Sequence, residues 1–469
     1  MQKNYDPENT IRDKELAKRI AEKAAAAGGR VFYVGGLVRD SILYGENAGG
    51  DVDIEVHGVE LQTLWNILTE VGTPLQYGSS FGIYGLSGSD IDIAIPRKEH
   101  ATGRGHRDFE VFVDPYIGPQ NAARRRDFTV NALMQDVLTG EILDPFGGQE
   151  DLKAGVLRCV DPESFVEDPL RVLRCARFAA ALDFTVAPET IALCASMDIS
   201  ALTRERVEGE LKKVLTGTEK PSVFFRVLRD MDQLETWFPE LEQLIGLEQD
   251  PVYHPEGDVW THTMDVLDRA AALRSKSEHP YAFMLLALTH DLGKIVTTEF
   301  VKGRIHAYGH EAAGLPIIEC FLRCLTEEAA VISYVLNMAE LHMKPNMMAF
   351  SKSSVKTTNK LFDSAASPQD LILMAMADHP VQSGDTPFAG DEDFLAGRLK
   401  VYQETMAKPY VMGRDLIAAG LKPGEDFGEL LEYAHKLRLA GIDKETALKQ
   451  VLAQAGKLRK EPDDGRDTK

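Results

Sequence analysis

The chain has 469 residues, 44% of them apolar and 27% charged, with a formal net charge of −21. At roughly 150 residues per domain this is about three domains; the chain is too apolar for general disorder and too acidic to coat nucleic acid indiscriminately, although local basic grooves fit within that total. The longest apolar run, residues 281–288, is far too short to span a bilayer, and the charged first thirty residues lack a signal-type apolar core, so a cytoplasmic protein without membrane association is expected.

Residues 12–27 read as an Ala-rich helix stopped by Gly28-Gly29. A short apolar strand at 31–34, a Gly35-Gly36 turn and a helix at 37–43 follow. Strand alternation at 51–56, helical spacing at 61–71 and further alternation at 81–86 and 91–95 complete an α/β head that ends in the turn-rich residues 144–148. Residues 128–135 look helical. Beyond Glu163 strand signals almost vanish. Helices with stops at Pro188, Gly217 and Pro239 fill 164–245, a histidine-rich helical block covers 246–380, and 379–392 reads as a linker. Helices resume near Phe394; residues 412–424 read as a helical hairpin, and a charged tail follows Gly456. The five cysteines (Cys159, Cys175, Cys194, Cys320, Cys324) form no CxxC and read as reduced thiols, with the Cys320/Cys324 pair taken as core rather than as zinc ligands.

Three features of the head carry chemistry. Asp51 and Asp53 fall on one face of an alternating strand while Val52 and Ile54 enter the core, and two carboxylates on one face suit Mg²⁺. The alternative is a solvated strand face. Just upstream, strand, Gly35-Gly36 and a helix carrying Arg39 resemble a triphosphate cradle: glycines let amides approach an anion, and a helix N-terminus favours negative charge; a plain turn is the alternative for the glycine pair alone. Asp92, on a second alternating strand, is the candidate base or third acidic group, or else an exposed strand carboxylate. The basic, Gly-rich residues 97–107 could close over a nucleotide or be a plain surface loop. Among Arg124-Arg125-Arg126-Asp127, Asp127 is expected to cap or orient while an arginine reaches phosphate or ribose.

Further on, Asp168-Pro169 starts a helix as N-cap and first turn, and Arg171, Arg174 and Arg177 recur every three residues as a polar stripe, with Leu173, Ala176, Phe178, Ala180 and Ala181 toward the core. A carboxylate accepting from an exocyclic amine beside a guanidinium donating to a ring nitrogen matches the edge that cytosine and adenine share. An Asp168/Arg171 pair would therefore accept CTP and ATP and reject UTP and GTP. A capped amphipathic helix with solvated arginines is the plainer reading.

The motifs VGGLVRD (34–40), DVD (51–53), RRDFTVNAL (125–133), DPFGGQEDL (144–152) and EDPLRVLRCARFAA (167–180) occur in this order. Together they closely resemble the class II CCA-adding tRNA nucleotidyltransferases over about 31–245. The resemblance implies a polymerase-β-like nucleotidyltransferase head, Asp51 and Asp53 as ligands of the catalytic Mg²⁺, and nucleotide contacts from Gly35, Gly36, Arg39, Arg126, Asp168, Arg171, Arg174 and Arg177. It also implies the tRNA 3′ end, CTP and ATP as substrates, with no obligate protein partner. Class II poly(A) polymerases share most head motifs, and residues 88–107 depart from the best-known members, so a CC-only, A-only or poly(A)-adding enzyme is the alternative.

His262, the adjacent His290-Asp291 and Asp378 repeat the order H…HD…D, a ligand set for a divalent transition metal gathered from separate helices. His310 and His342 could support a second metal or bind phosphate; polar surface is the alternative for His254, His306 and His310. The block resembles the HD phosphohydrolase superfamily, which implies metal-dependent phosphoester hydrolysis; in bacterial CCA-adding enzymes of this type it goes with 2′,3′-cyclic phosphodiesterase and phosphatase activity. A rival of another class is an HD phosphohydrolase whose head only senses nucleotides. The expected fold class is α+β, divided as an N-terminal helical extension (1–30), a nucleotidyltransferase head (31–157), a helical neck reading base and tRNA (158–245), an HD domain (246–385) and a helical, tRNA-contacting tail (386–469).

Overall fold

The computed structural model describes residues 7–45, 50–77, 82–101, 109–378, 391–424 and 426–458. The chain divides into two compact units, residues 1–242 and 243–469. The α+β class is as expected.

In the first unit, helix α1 (Pro7–Ala26) leads into β1 (Arg30–Val34), α2 (Gly36–Tyr44), β2 (Asp53–His57) and α3 (Leu61–Val71). Strands β3 (Pro74–Tyr77), β4 (Ile83–Leu86), β5 (Asp92–Ala94), β6 (Arg97–Ala101), β7 (Phe109–Val113), β8 (Met134–Asp136) and β9 (Ile142–Leu143) follow. Seven of them form one sheet in the order β3-β4-β5-β2-β1-β8-β9, while β6 and β7 pair separately. All neighbours in the large sheet run antiparallel except β2 and β5. Most of the basic 97–107 loop lies outside the described residues.

The N-terminal extension, without an assigned role in the sequence, builds the core. Ala17, Ile20, Ala21 and Ala24 recur at helical spacing and pack with Val31, Val52, Ile54 and Val56 of the sheet and Leu64, Ile67 and Leu68 of α3. Small alanines let α1 lie close to the sheet.

Several expectations need correction in this unit. Residues 128–135 are not a helix: Thr129–Asn131 is a single 3-10 turn and β8 follows at once. Its apolar residues fit buried strand and buried helix alike, and a run this short does not decide between them. In the Leu170–Leu182 helix, Leu173, Ala176, Phe178 and Ala180 are buried but Ala181 is exposed. That helix also starts one residue later than the Asp-Pro signal suggests, with Asp168 Oδ1 accepting from the Leu170 amide at 3.1 Å.

The second unit is mainly helical. The Pro280–Thr289 helix is buried all round from Tyr281 to Thr289, which explains its lack of an apolar stripe. A short hairpin, Glu299–Val301 with Arg304–His306, is strand structure where helix was expected. It turns through Lys302 (φ +52°) and Gly303 (φ +83°), a primed two-residue turn that forces antiparallel pairing. Cys320 and Cys324 are exposed on the outer side of the Leu315–Leu325 helix rather than in the core. The Asp391–Ala407 helix packs Leu395 against Ala349, Phe362 and Ile372. Distally, Val411, Leu416, Leu430, Ala434, Ala447, Val451 and Ala455 form a separate small core; of the helical hairpin expected at 412–424 only one helix, Gly413–Ala418, lies in that range, and the next begins at Asp426. The linker expected at 379–392 lies almost entirely outside the described residues.

Candidate functional site

The head site forms where β1 runs out. The chain passes through Gly35 at φ +71°, a left-handed conformation that disfavours side chains, and enters α2. A Cβ on Gly35 would stand 3.7 Å from Asp53 Oδ2 and 3.8 Å from Arg126 Nη1, so the bare glycine keeps open a cradle between a carboxylate and a guanidinium.

Asp53 is the first residue of β2, and the parallel register sets it directly beside Asp92 on β5. Register partners of neighbouring strands project to the same face, so these two carboxylates share one. Asp51 stands two residues ahead of β2, not within it as expected, and is exposed. Val52 and Ile54 are each 1% exposed, which keeps the predicted in–out alternation through the approach to the strand.

The same face carries a third acidic residue, within the alternating 51–56 segment but without an expected role. Glu55 is fully buried and accepts from His57 Nε2 at 2.8 Å, Arg125 Nη2 at 3.3 Å and Arg126 Nη2 at 3.5 Å. Burial alone would raise its carboxyl, but the His57 hydrogen bond and the Arg126 and Arg125 charges hold it down at about 2. Glu55 thereby ties the arginine run to the strand that carries Asp53. The alternation 51-53-55 was the available signal.

Arg39 is buried. It donates to Asp40 through Nε at 2.7 Å and to Asn131 Oδ1 through Nη1 at 2.8 Å. Asn131 Nδ2 in turn donates to Asp127 Oδ1 at 3.0 Å, and Arg174 Nε donates to Asp127 Oδ2 at 2.8 Å. A continuous relay therefore joins α2, just beyond the glycine turn, to the Leu170–Leu182 helix. Asp127 orients as expected, and its buried carboxyl is held below the ordinary range despite desolvation because Arg174 and Asn131 face it.

The arginine stripe is engaged within the protein. Arg171 donates to the carbonyls of Ser164 at 2.7 Å and Arg125 at 2.6 Å. Arg177 pairs with the buried Glu210 and lies over the Phe178 ring at 3.9 Å. Asp168 accepts from Arg206 at 2.9 Å, not from Arg171. The structure thus brings Gly35, Asp53, Asp92 and Arg126 together, places Gly36 and Arg39 on α2 alongside, and shows Arg174 and Arg177 as counter-ions of buried carboxylates.

In the second unit the histidines converge. The Val259–Leu273 helix is capped by Asp258, whose side chain accepts from Thr261 N, and this start carries His262 inward. His290 and His342 each follow the last turn of an apolar helix. Three rings use Nδ1 in one way: His290 to Ala287 O at 3.0 Å, His310 to Ala307 O at 2.9 Å and His342 to Ala339 O at 2.6 Å. A carbonyl only accepts, so Nδ1 carries the proton and, in the neutral ring, the Nε2 lone pair is left to bind a cation. His262 is held likewise, Nδ1 to Glu256 Oε1 at 2.7 Å.

The four Nε2 atoms meet around two carboxylates. His262 lies 3.0 Å from Asp378 Oδ1, His290 3.3 Å from Asp291 Oδ2, and His310 both 3.3 Å from Asp291 Oδ1 and 3.3 Å from His342 Nε2. Two groups of cation-ready residues overlap at Asp291: His262, His290 and Asp291, and Asp291, His310 and His342, all buried. His310 and His342, expected only as possible ligands of a second metal or of phosphate, are thus part of the cluster, and Glu256 is a missed one. Desolvation opposes charge on His290, yet Asp291 and Asp378 push it up to about 10, whereas burial and the His290 charge push His342 down to about 4. The Asp291 carboxyl is held far below the ordinary range, against burial, by Lys294 and His290.

Gly293 makes this assembly sterically possible. A Cβ there would fall 1.9 Å from the His310 carbonyl oxygen, so only glycine lets the turn after His290-Asp291 pack on the segment carrying His310.

Residues 31–158 match the poly A polymerase head domain family, which makes the chain a nucleotidyltransferase. The multifunctional CCA protein of Nitrosococcus oceani is 35% identical over 412 residues, covering 86% of this chain and 96% of that protein. That of Xanthomonas oryzae is 35% identical over 425 residues, covering 88% and 98%. The chain belongs to the multifunctional CCA protein family. Its fold is similar to the Thermotoga maritima CCA-adding enzyme complexed with tRNA (TM-score 0.63, 22% identity, 97% of each chain). It is also similar to the Bacillus stearothermophilus CCA-adding enzyme in complex with CTP (TM-score 0.62, 20% identity, 96% of this chain and 99% of that one). No helix among the described residues is long and apolar enough to cross a membrane.

Proposed function

We propose that the protein adds C, C and A from CTP and ATP to the 3′ end of tRNA, releasing pyrophosphate, and works in the cytoplasm without an obligate protein partner. The observation that carries this reading is the pairing of Asp53 with Asp92 beside the open Gly35 cradle and Arg126. The terminal 3′-oxygen forms a bond to the α-phosphorus as the α–β bridging P–O bond breaks. Asp51 and Asp53 offer hard carboxylate oxygens at a site open to phosphate, a donor set that fits Mg²⁺; the ion would supply neutralisation of the triphosphate and activation of the hydroxyl. Asp92 is placed to take the 3′-OH proton. Arg126, with Gly35, Gly36 and Arg39 beside it, receives the triphosphate, and Asp168 with Arg171 reads the shared edge of C and A once nucleotide displaces their present partners. Arg174 and Arg177 brace that helix and add positive potential.

Single-turnover extension of tRNAs ending before CCA, after C and after CC, each with one of the four triphosphates, tests this. Addition of C, C and A that then stops is expected. Only CC, only A or a long A tail names a specialist, and no incorporation by the intact protein overturns the reading.

The buried cluster supports a second activity, metal-dependent hydrolysis of phosphoesters such as 2′,3′-cyclic phosphates. Buried His290 Nε2 and Asp291 Oδ2 face each other 3.3 Å apart, with Lys294 Nζ 2.8 Å from the same oxygen, and imidazoles with carboxylates fit a divalent transition metal. His262, His290, Asp291 and Asp378 would hold one ion, with His310 and His342 sharing Asp291 for a second; bound metal would supply an activated water. Water oxygen bonds to phosphorus, one ester P–O bond breaks, and a proton passes to the leaving oxygen. Chelation should abolish hydrolysis and transition-metal addition restore it; hydrolysis indifferent to chelator overturns this part.

A further inference from the structure

The core-facing stripe of α1 changes character toward its N-terminus. Ala17, Ile20, Ala21 and Ala24 pack into the head, and the same face continues at the same helical spacing with Asp13 and then Thr10. Both are buried, Asp13 at 2% exposure and Thr10 at 8%. Burying a carboxylate is costly unless it is hydrogen-bonded or paired, and an apolar residue would extend the stripe without that cost. The contacts of the two side chains explain their polarity. Thr10 Oγ1 donates to the Gly50 carbonyl at 3.2 Å. Asp13 Oδ2 accepts from the Asp90 amide at 3.2 Å, and its Oδ1 accepts from Arg12 Nε at 3.3 Å.

These two backbone groups stand beside the head site. Gly50 immediately precedes Asp51, and Asp90 lies two residues before Asp92. With consecutive Cα atoms about 3.8 Å apart, each anchor is within roughly 4–8 Å of the backbone that bears a site carboxylate. The strand ladder gives little support here, because β2 opens only at Asp53 and β5 only at Asp92. The two approach segments nonetheless run side by side, with the Asp92 amide donating to the Val52 carbonyl at 3.0 Å. Residues three apart on a helix are neighbours on its surface, so Thr10 and Asp13 form one rigid face that grips both segments at once.

We propose that α1 is a clamp on the nucleotidyl-transfer site, in which Thr10 and Asp13 are positioning residues that hold the segments of Asp51 and Asp92 in register with each other. This rests on the roles given to Asp51 and Asp92 above. Neither Thr10 nor Asp13 touches substrate; both act through the backbone of the residues they hold.

The test uses the full chain with Thr10→Val, which keeps the volume and loses the hydroxyl, and Asp13→Ala, beside the conservative Thr10→Ser and Asp13→Asn. For CTP addition to tRNA ending before CCA, kcat should fall about tenfold in Asp13→Ala and less in Thr10→Val, because small misplacements of reacting groups are expensive. The KM for CTP should hold, since the Gly35 turn and Arg126 are not anchored by α1. Thr10→Ser keeps the donor and Asp13→Asn an acceptor, so each should recover most of the rate. A readout free of turnover is Mn²⁺ affinity, followed by electron paramagnetic resonance with a non-reactive α,β-methylene CTP; it should weaken in Asp13→Ala and return in Asp13→Asn. Unchanged kcat in Thr10→Val and Asp13→Ala, while Asp51→Ala with Asp53→Ala is inactive, overturns the clamp and leaves the nucleotidyl-transfer reading standing. A rate loss that tracks melting temperature and is not recovered by the conservative variants also overturns it, and α1 is then packing alone. If the intact protein adds no nucleotide, that reading falls and Mn²⁺ affinity decides the clamp by itself: weaker binding in Asp13→Ala supports it, equal binding overturns it.

Discussion

The two candidate centres are built on opposite principles. In the head, Asp51 and Asp92 are exposed and Asp53 is half-buried, a set of hard oxygens beside the Gly35 turn. In the second unit, His262, His290, Asp291, His310 and His342 are all buried, and four of the rings have their orientation fixed through Nδ1. An open carboxylate pair suits an ion that arrives with its triphosphate and leaves with pyrophosphate; a closed imidazole cage suits a resident ion. The difference lies in when the site is completed. One is finished by its substrate and the other by the fold.

The largest effect should come from breaking the open site. If Asp51 and Asp53 hold the ion as proposed, Asp51→Ala with Asp53→Ala takes away a Lewis-acid contribution of several kcal/mol, and single-turnover incorporation of CTP or ATP should fall on the order of 10³-fold. Cyclic-phosphate hydrolysis and melting temperature should stay within error, because Asp51 is exposed and the core beneath, Val52 and Ile54, is untouched. Parallel loss of both activities would mean the two centres are not separate.

Next in size is the relay behind the open site. Arg174 faces the buried Asp127, and removing one partner of such a pair leaves an uncompensated buried charge, so Arg174→Ala should lower unfolding free energy by about 3 kcal/mol in denaturant titration. An unchanged midpoint with a raised KM for both triphosphates would instead make Arg174 a nucleotide contact alone.

Acid should then distinguish the centres further. Glu55 has its carboxyl lowered from 4.5 to about 2 in the folded state, so the unfolded chain binds its proton first and stability falls as pH drops through that window. The contribution is fully present above the unfolded value, and about 2 kcal/mol of it should be gone by roughly pH 3. Glu55→Gln should flatten that part of the acid-unfolding curve of the first unit. A curve of unchanged slope would mean that Arg125 and Arg126 find other partners.

Local chemistry was legible wherever it was contiguous. Gly35-Gly36, Asp51-x-Asp53 and His290-Asp291 are short patterns whose geometry follows from chain periodicity, and long-range order added His262 and Asp378. What stayed hidden depends on register and packing. The adjacency of Asp53 and Asp92 needs β2 and β5 side by side, and Glu55 reads as one more strand carboxylate until its burial between His57 and two arginines is known. The arginine stripe was visible, but its partners Asp127 and Glu210 lie 47 and 33 residues away along the chain. Residues 128–135 were misread because an apolar run this short fits a buried strand as well as a helix. Gly293 shows its purpose only when the His310 carbonyl is found against it.

The smallest expected effect probes the closed site most directly. Glu256 touches no position a metal would occupy at His262 Nε2; it accepts the Nδ1 proton on the far side of that ring at 2.7 Å. Such a carboxylate fixes the tautomer, holds the ring plane and makes the ligating nitrogen more basic, and removing it commonly costs 10–100-fold in metal affinity. Glu256→Gln keeps an acceptor oxygen but loses the charge, so affinity for added transition metal, titrated calorimetrically into chelator-stripped protein, should fall about tenfold, with Glu256→Ala nearer the upper end. Nucleotide addition should not respond, since the open site has no part in this contact. Equal metal affinity in all three proteins would show that the ring is held by packing within the Val259–Leu273 helix, and the contrast between a site completed by the fold and one completed by its substrate would then rest on His290, His310 and His342 alone.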